Sequence, residues 1–179
     1  MMKNDIKRVC VSEEKIQEIV HRLGDQITKD YEGKEPLFVG LLKGCNPFMM
    51  DLLKCVNLRC TLNYMDVSSY DGCTSTGQVK ICHDLDESVE GKDIILVDDI
   101  LDTGRTLKEV KGILSSRGAK SIKLCVLLNK PEGRKVDLEA EYVGDLVPNE
   151  FVVGYGLDYN EKYRNLPYIG VLKEEIYSK

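Results

Sequence analysis

The chain reads as an α/β protein with a mostly parallel central sheet flanked by helices. Three observations predict this class. Residues 37–42, 94–97 and 122–128 are short, continuous apolar runs, the pattern of strands buried on both faces. Segments with apolar residues at helical spacing stand between them. Short, polar connections then favour right-handed strand–helix–strand units.

Taken in order, Ser12 suits the N-cap of a helix that places Glu13 and Glu14 at the positive end of its dipole. Ile16, Ile19, Val20, Leu23 and Ile27 give that helix one apolar stripe. The strand at 37–42 follows, and after Lys43-Gly44-Cys45-Asn46 a second helix carries Phe48, Leu52 and Leu53, with Pro47 suited to its first position. Leu58, Cys60, Leu62 and Tyr64 alternate with Arg59, Thr61 and Asn63, which predicts a strand with one polar face. Residues 68–78 lose periodicity and gather Ser, Thr and Gly, residues 79–82 fit another strand, and residues 84–92 form an acidic turn. After a strand that opens at residue 94 and carries paired carboxylates at its end, Leu107, Val110 and Leu114 stripe a third helix, and Gly118 sits where a helix C-terminal glycine belongs. The strand at 122–128 and a shorter one at 151–153 complete the pattern. There is no internal repeat, linker or low-complexity tract, so residues 1–179 are expected to form one domain.

Composition narrows the function classes. A formal charge of -5 leaves no global basic footprint for nucleic acid. No apolar run approaches the roughly 18 residues of a membrane span, and the first residues lack a secretory pattern. The seven cysteines are odd in number and include no CxxC pair, while His21 and His83 have no metal-ligand spacing. Buried free thiols in a reducing cytoplasm are the expectation.

The most informative stretch is residues 94–106. Four apolar residues run into Asp98-Asp99, followed by Ile100-Leu101-Asp102-Thr103-Gly104-Arg105-Thr106 and a helical pattern. In an open parallel sheet, ligands bind beyond the carboxyl ends of the strands. Two carboxylates there repel each other, so sugar hydroxyls, a divalent cation, or both must compensate them. Backbone N–H groups and the Thr103 and Thr106 hydroxyls can converge on a phosphate at the next helix, aided by its dipole. Neither GxxxxGK[ST] nor a strand-linked GxGxxG is present. The blander reading is an acidic turn in which Asp102 caps the helix.

This segment resembles the phosphoribosyl pyrophosphate (PRPP) motif of type I phosphoribosyltransferases, most closely the 6-oxopurine salvage enzymes, the hypoxanthine-guanine phosphoribosyltransferases. The resemblance implies the type I fold, with a small hood from the N- and C-terminal segments over the base site and a mobile lid at about 68–78. It implies that Asp98 and Asp99 hold the ribose hydroxyls and Mg²⁺, and that Asp102, Thr103, Gly104, Arg105 and Thr106 wrap the 5′-phosphate. The family often has Glu-Asp where this chain has Asp98-Asp99. Asp102 discriminates, because relatives that use adenine or orotate generally lack an acid there. The resemblance makes it the general base or acid at purine N7.

Further blocks match in order. Leu42-Lys43-Gly44-Cys45 is similar to the family's Leu-Lys-Gly-Gly loop, which implies that Lys43 and Gly44 bind pyrophosphate beside a Leu-Lys peptide that can be cis. Cys45 replaces the second glycine, and a positive φ there would strain it. Ser69 and Tyr70 match the lid, whose closure would keep water from an oxocarbenium-like centre. Lys130 matches the lysine that donates to purine O6, although alone it would be read as a solvated lysine. In residues 151–158, Phe151 would stack on the base, the Val152 backbone would read the ring edge, and Asp158 would help bind a second Mg²⁺. Arg164 matches the arginine that clamps pyrophosphate. His83 matches nothing and is read as a strand or surface residue.

The implied activity is transfer of the 5-phosphoribosyl group from PRPP to N9 of hypoxanthine or guanine, giving IMP or GMP and pyrophosphate in a cytoplasmic homodimer or homotetramer. One alternative is a PRPP-sensing regulator that binds nucleic acid, against which stand the acidic charge, Asp102 and the Phe151 block. Another is a phosphoribosyltransferase for a different base, such as xanthine or a pyrimidine, and Lys130 with Phe151 speaks against the pyrimidine.

Overall fold

The computed structural model describes residues 2–69 and 79–178. Its main sheet has six strands in the order β4-β3-β2-β5-β6-β7: β4 (Val79–His83), β3 (Thr61–Ser69), β2 (Leu37–Leu42), β5 (Asp93–Leu101), β6 (Ser121–Asn129) and β7 (Tyr142–Leu146). β4 runs antiparallel to its neighbour, and every other pairing is parallel. A second, three-stranded sheet joins β1 (Ile6–Val11), β9 (Ile169–Leu172) and β8 (Val152–Val153). The mixed α/β class with a mostly parallel centre is as predicted.

Helices cover both faces of the large sheet, which explains its unbroken apolar strands. Ile16, Ile19, Val20, Leu23 and Ile27 of α1 (Glu13–Asp30), with Phe48, Met49 and Leu52 of α2 (Asn46–Cys55), pack with Phe38, Ile95 and Val97. On the other face, Leu107, Val110 and Leu114 of α3 (Arg105–Ser116) pack with Val39, Leu96 and Val126. β5 therefore divides its side chains between two cores at strand period, and Ile94 to Val97 are wholly buried. Ser12 caps α1 by accepting from Lys15 N at 3.2 Å. Gly118 follows α3 at φ 83°, the left-handed geometry a terminating glycine supplies.

Three expectations change. The strand predicted from Leu58 begins only at Thr61, and its faces are inverted: Leu62 is exposed while Asn63 and Met65 are buried. β3 lies between β2 and β4, with Tyr64 of one face packed on one core and Met65 and Val67 of the other face on the second, so alternation could not identify a single wet face. β5 carries Asp98 and Asp99 toward its carboxyl end, as expected, and runs on to Leu101. Three strands, β1, β7 and β9, went unrecognised: β1 and β7 interleave charged residues or glycine with apolar ones, and β9 is only four residues long. Of the six described cysteines, all free, only Cys45 and Cys125 are buried; Cys82 is exposed.

Candidate active site

The central strand delivers the first pair of groups. Asp98 and Asp99 end up at the carboxyl end of β5, where a cavity of about 230 Å³ is lined by Leu41, Leu42, Asp98, Asp99, Asp102 and the Thr103–Thr106 turn. Desolvation and the neighbouring Asp99 charge hold the Asp98 carboxyl well above the ordinary carboxylate range. Asp99 is pushed up to about 6, chiefly by desolvation, with the Asp158 charge adding to it and Arg164 opposing. Such a pair is poised to accept positive charge.

The loop that follows does not use Asp102 as a helix cap. Gly104 is the N-cap of α3 at φ 78°, without a side-chain cap, and Thr103 Oγ1 accepts from Arg105 N at 3.4 Å. A left-handed residue here costs a non-glycine about 1–2 kcal/mol, so the glycine lets the chain turn sharply enough to aim the first N–H groups of α3 into the cavity. Arg105 is exposed and Thr106 half-buried at this helix start. Asp102 is left free of backbone duty, and its Oδ2 lies 3.5 Å from Lys130 Nζ.

The loop after β2 closes the opposite side. The Leu42-Lys43 peptide is cis. Cys45 has φ −65° and is helical, so its replacement of a glycine strains nothing, and its side chain is buried beside Gly40. Gly44 is the residue under constraint: a Cβ there would stand 1.8 Å from Asp99 Oδ2. Gly156, at φ 103°, likewise approaches so closely that its Cβ would meet the Gly44 carbonyl oxygen at 2.0 Å. Tyr155 fastens the same turn to α2 by donating to Asp51 at 2.6 Å.

A second cavity, of about 170 Å³, is lined by Ile100, Asp102, Lys130, Glu150, Phe151, Val152, Leu157 and Asp158. It shares Ile100 and Asp102 with the first. Phe151 is 38% exposed and stacks on Tyr177 at 5.0 Å, with Tyr159 edge-on at 5.7 Å. Aromatic neighbours thus fix the ring while part of it stays open. Glu150 is held by Arg8 and Lys7 of β1. Arg164 donates to the Gly156 carbonyl at 2.7 Å and pairs with Asp158 at 2.9 Å and Glu161 at 3.3 Å. Lys43 pairs with Glu161 at 3.0 Å.

The fold thus brings together Lys43, Gly44, Asp98, Asp99, Asp102, the Thr103–Thr106 turn, Lys130, Phe151, Val152, Asp158 and Arg164 at one end of the sheet. Tyr70 lies outside the described residues, and Ser69 is described only as the end of β3. No group of three or more His, Cys, Asp or Glu residues suited to a metal forms among the described residues. Sequence reasoning missed Arg134, Glu150, Tyr155 and Tyr177, which carry no motif signal and act through partners distant in the chain.

Comparison with known proteins agrees with this geometry. Residues 12–160 match the phosphoribosyl transferase domain family. The chain is 55% identical over 180 residues to the hypoxanthine-guanine phosphoribosyltransferase of Streptococcus agalactiae, and the match covers 100% of both. The chain belongs to the hypoxanthine-guanine phosphoribosyltransferase family. A crystal structure of a hypoxanthine phosphoribosyltransferase from Staphylococcus aureus superposes with TM-score 0.96 at 54% identity, over 99% of this chain and 97% of that one. Members also occur within larger proteins: the chain is 57% identical over 179 residues to the bifunctional protein TilS/HprT of Listeria monocytogenes, covering 99% of this chain but 28% of that protein. The type I phosphoribosyltransferase fold expected of the family is the fold described above.

Proposed function

We propose that the chain transfers the 5-phosphoribosyl group of PRPP to N9 of hypoxanthine or guanine, releasing pyrophosphate and giving IMP or GMP. The observation that carries this reading is that two cavities, one lined by acids and a phosphate-type turn and one by Phe151 and Lys130, meet at Asp102. A sugar in the first and a base in the second would face each other across that residue. Full-length similarity to enzymes named for this activity supports it.

In this reading the Thr103–Thr106 turn and the start of α3 hold the 5′-phosphate, and Asp98 and Asp99 hold the ribose hydroxyls. Lys43 and Gly44 flank the pyrophosphate, and Arg164 leaves its partners Asp158 and Glu161 to clamp it. Phe151 covers one base face, the Val152 backbone meets the ring edge, and Lys130 donates to O6. N9 attacks C1′ only as the other imidazole-ring proton leaves, so Asp102 takes it from N7. Departure of pyrophosphate leads this attack, and the protein mainly aligns the base and excludes water. Ser69 and Tyr70 would close over PRPP, and the β1-β9-β8 sheet would serve as the hood of a single domain.

The donor set suits Mg²⁺. Asp98 and Asp99 are hard oxygen donors whose raised pKa values a divalent cation would lower. The lack of a third clustered ligand among the described residues leaves coordination positions for phosphate and hydroxyl oxygens, as Mg²⁺ prefers. When bound, the ion would neutralise charge on the leaving pyrophosphate, with Asp158 aiding a second ion. We further propose a homodimer or homotetramer, and a cytoplasmic location that the free state of the six described cysteines supports. No helix among the described residues is long and apolar enough to cross a membrane.

A steady-state assay with PRPP, Mg²⁺ and each of hypoxanthine, guanine, xanthine, adenine and uracil tests the proposal. Turnover of hypoxanthine or guanine at least about 100-fold above adenine and uracil is expected. Equal turnover of all bases, or none with any, would refute it. Salt-sensitive nucleic-acid binding without turnover would favour the regulator instead.

A further inference from the structure

We propose that Arg134 is a positioning residue that keeps Asp102, on the sugar side, in register with Lys130, on the base side. This rests on the reading of the site given above.

Arg134 follows the short 3-10 turn Pro131–Gly133 and is half-buried. Its guanidinium spends its donors on three stretches of chain at once. Nη1 donates to the Leu101 carbonyl at 3.0 Å and, at shorter range, to the Asp102 carbonyl. Nη2 donates to Asn129 Oδ1 at 2.6 Å, and Nε to the Leu138 carbonyl at 3.1 Å. All four acceptors are neutral, so this fork acts as a rigid template and not as an ion-pair partner. The side chain also underlies the phosphate turn, since a Cβ on Gly104 would lie 3.2 Å from Arg134 Cδ.

Two backbone bonds run beside it and fix the same junction: Lys130 N donates to Leu101 O, and Lys135 N to Thr103 O, both at 3.0 Å. One guanidinium thus links the backbone of the acid to the side chain of Asn129, the residue before the lysine, and the acid and lysine lie 3.5 Å apart. Arg134 itself lines neither cavity. A lysine would keep the charge yet lack the planar fork that spans these acceptors.

The test uses Arg134→Ala and Arg134→Lys in the full chain, with Asp102→Asn and the Arg134→Ala/Asp102→Asn double variant. Misplacement of a reacting group by about 1 Å costs up to roughly a hundredfold. We therefore expect kcat to fall about tenfold to a hundredfold in both Arg134 variants, with the KM for PRPP changed less than about twofold. Methylguanidine should restore part of kcat to Arg134→Ala, and ammonium should not. In the Asp102→Asn background, Arg134→Ala should cost less than about twofold more, because both act through one group.

Full additivity in the double variant, or a wild-type kcat in folded Arg134→Ala, would overturn the inference. Thermal unfolding and circular dichroism identify the folded variants; if Arg134→Ala fails to fold, Arg134→Lys carries the same test. Should Asp102→Asn itself keep full kcat, the proton-transfer reading fails separately. A crystal structure of the folded Arg134 variant then decides: a displaced Asp102 loop upholds the positioning role, and an unmoved one ends it.

Discussion

At the scale of single residues, Asp102 and Lys130 lie 3.5 Å apart in one cavity, and on the proposed function each substitution has a distinct signature. Asp102→Asn is nearly isosteric but cannot take a proton, so kcat should fall about 100-fold while the affinity for PRPP holds; pre-steady-state and binding measurements would separate the two. Lys130→Ala should raise the KM for the base at least about tenfold and leave that for PRPP within about twofold, as loss of one charged hydrogen bond costs roughly 1.5–3 kcal/mol. Equal losses for both substrates would remove Lys130 from O6. Gly44→Ala makes a third case. The added methyl would occupy the space of the Asp99 carboxylate, so PRPP affinity should drop about tenfold or more by isothermal titration, with the fold intact. The motif residues were legible because they are contiguous and chemically distinctive. Arg134, Glu150 and Tyr155 were not: their partners stand at Leu101, Arg8 and Asp51, and no local pattern announces a contact across such separations.

At the scale of elements, β5 and its turn were readable in advance because four apolar residues, two acids and a glycine impose conflicting demands that few structures satisfy. The left-handed Gly104 should resist substitution: Gly104→Ala is expected to lose about 1–2 kcal/mol in urea unfolding and to weaken phosphate binding beyond that. Ser12→Ala, at the cap of a helix remote from the site, should cost about 1 kcal/mol without altering catalysis. The failure at β3 has a different cause. Alternation identifies a face only when one side is wet, and here Asn63 is buried, with its Oδ1 turned back to accept from Tyr64 N at 2.8 Å. β1, β7 and β9 escaped notice because they derive their stability from partners, not from a distinctive composition.

At the scale of the whole molecule, the acids at the centre of the sheet tie stability to pH. Asp99, raised to about 6, binds its proton more tightly folded than unfolded. Between the unfolded carboxylate value of about 3.9 and the folded value, the native state holds more protons, so this group's contribution to stability falls as pH rises and its cost is complete above about 6. Asp98 acts in the same direction. Mg²⁺ with PRPP should therefore raise the melting temperature more at about pH 7.5 than at about pH 5, a contrast that differential scanning calorimetry would measure. A ligand effect independent of pH would separate the acids from the binding site.

The pairing of β1 with β9, residues 6–11 with residues 169–172, has a consequence for how the molecule is made. A ribosome delivers the six strands of the large sheet before β9, the one partner of β1, so the cavity lined by Asp98, Asp99 and the Thr103–Thr106 turn can form while the chain is still being synthesised. Phe151 meets Tyr177, and Arg8 meets Glu150, only after the far strand has emerged. On the proposed function, vectorial synthesis would then assemble the molecule's hold on phosphoribose first and its choice of base last.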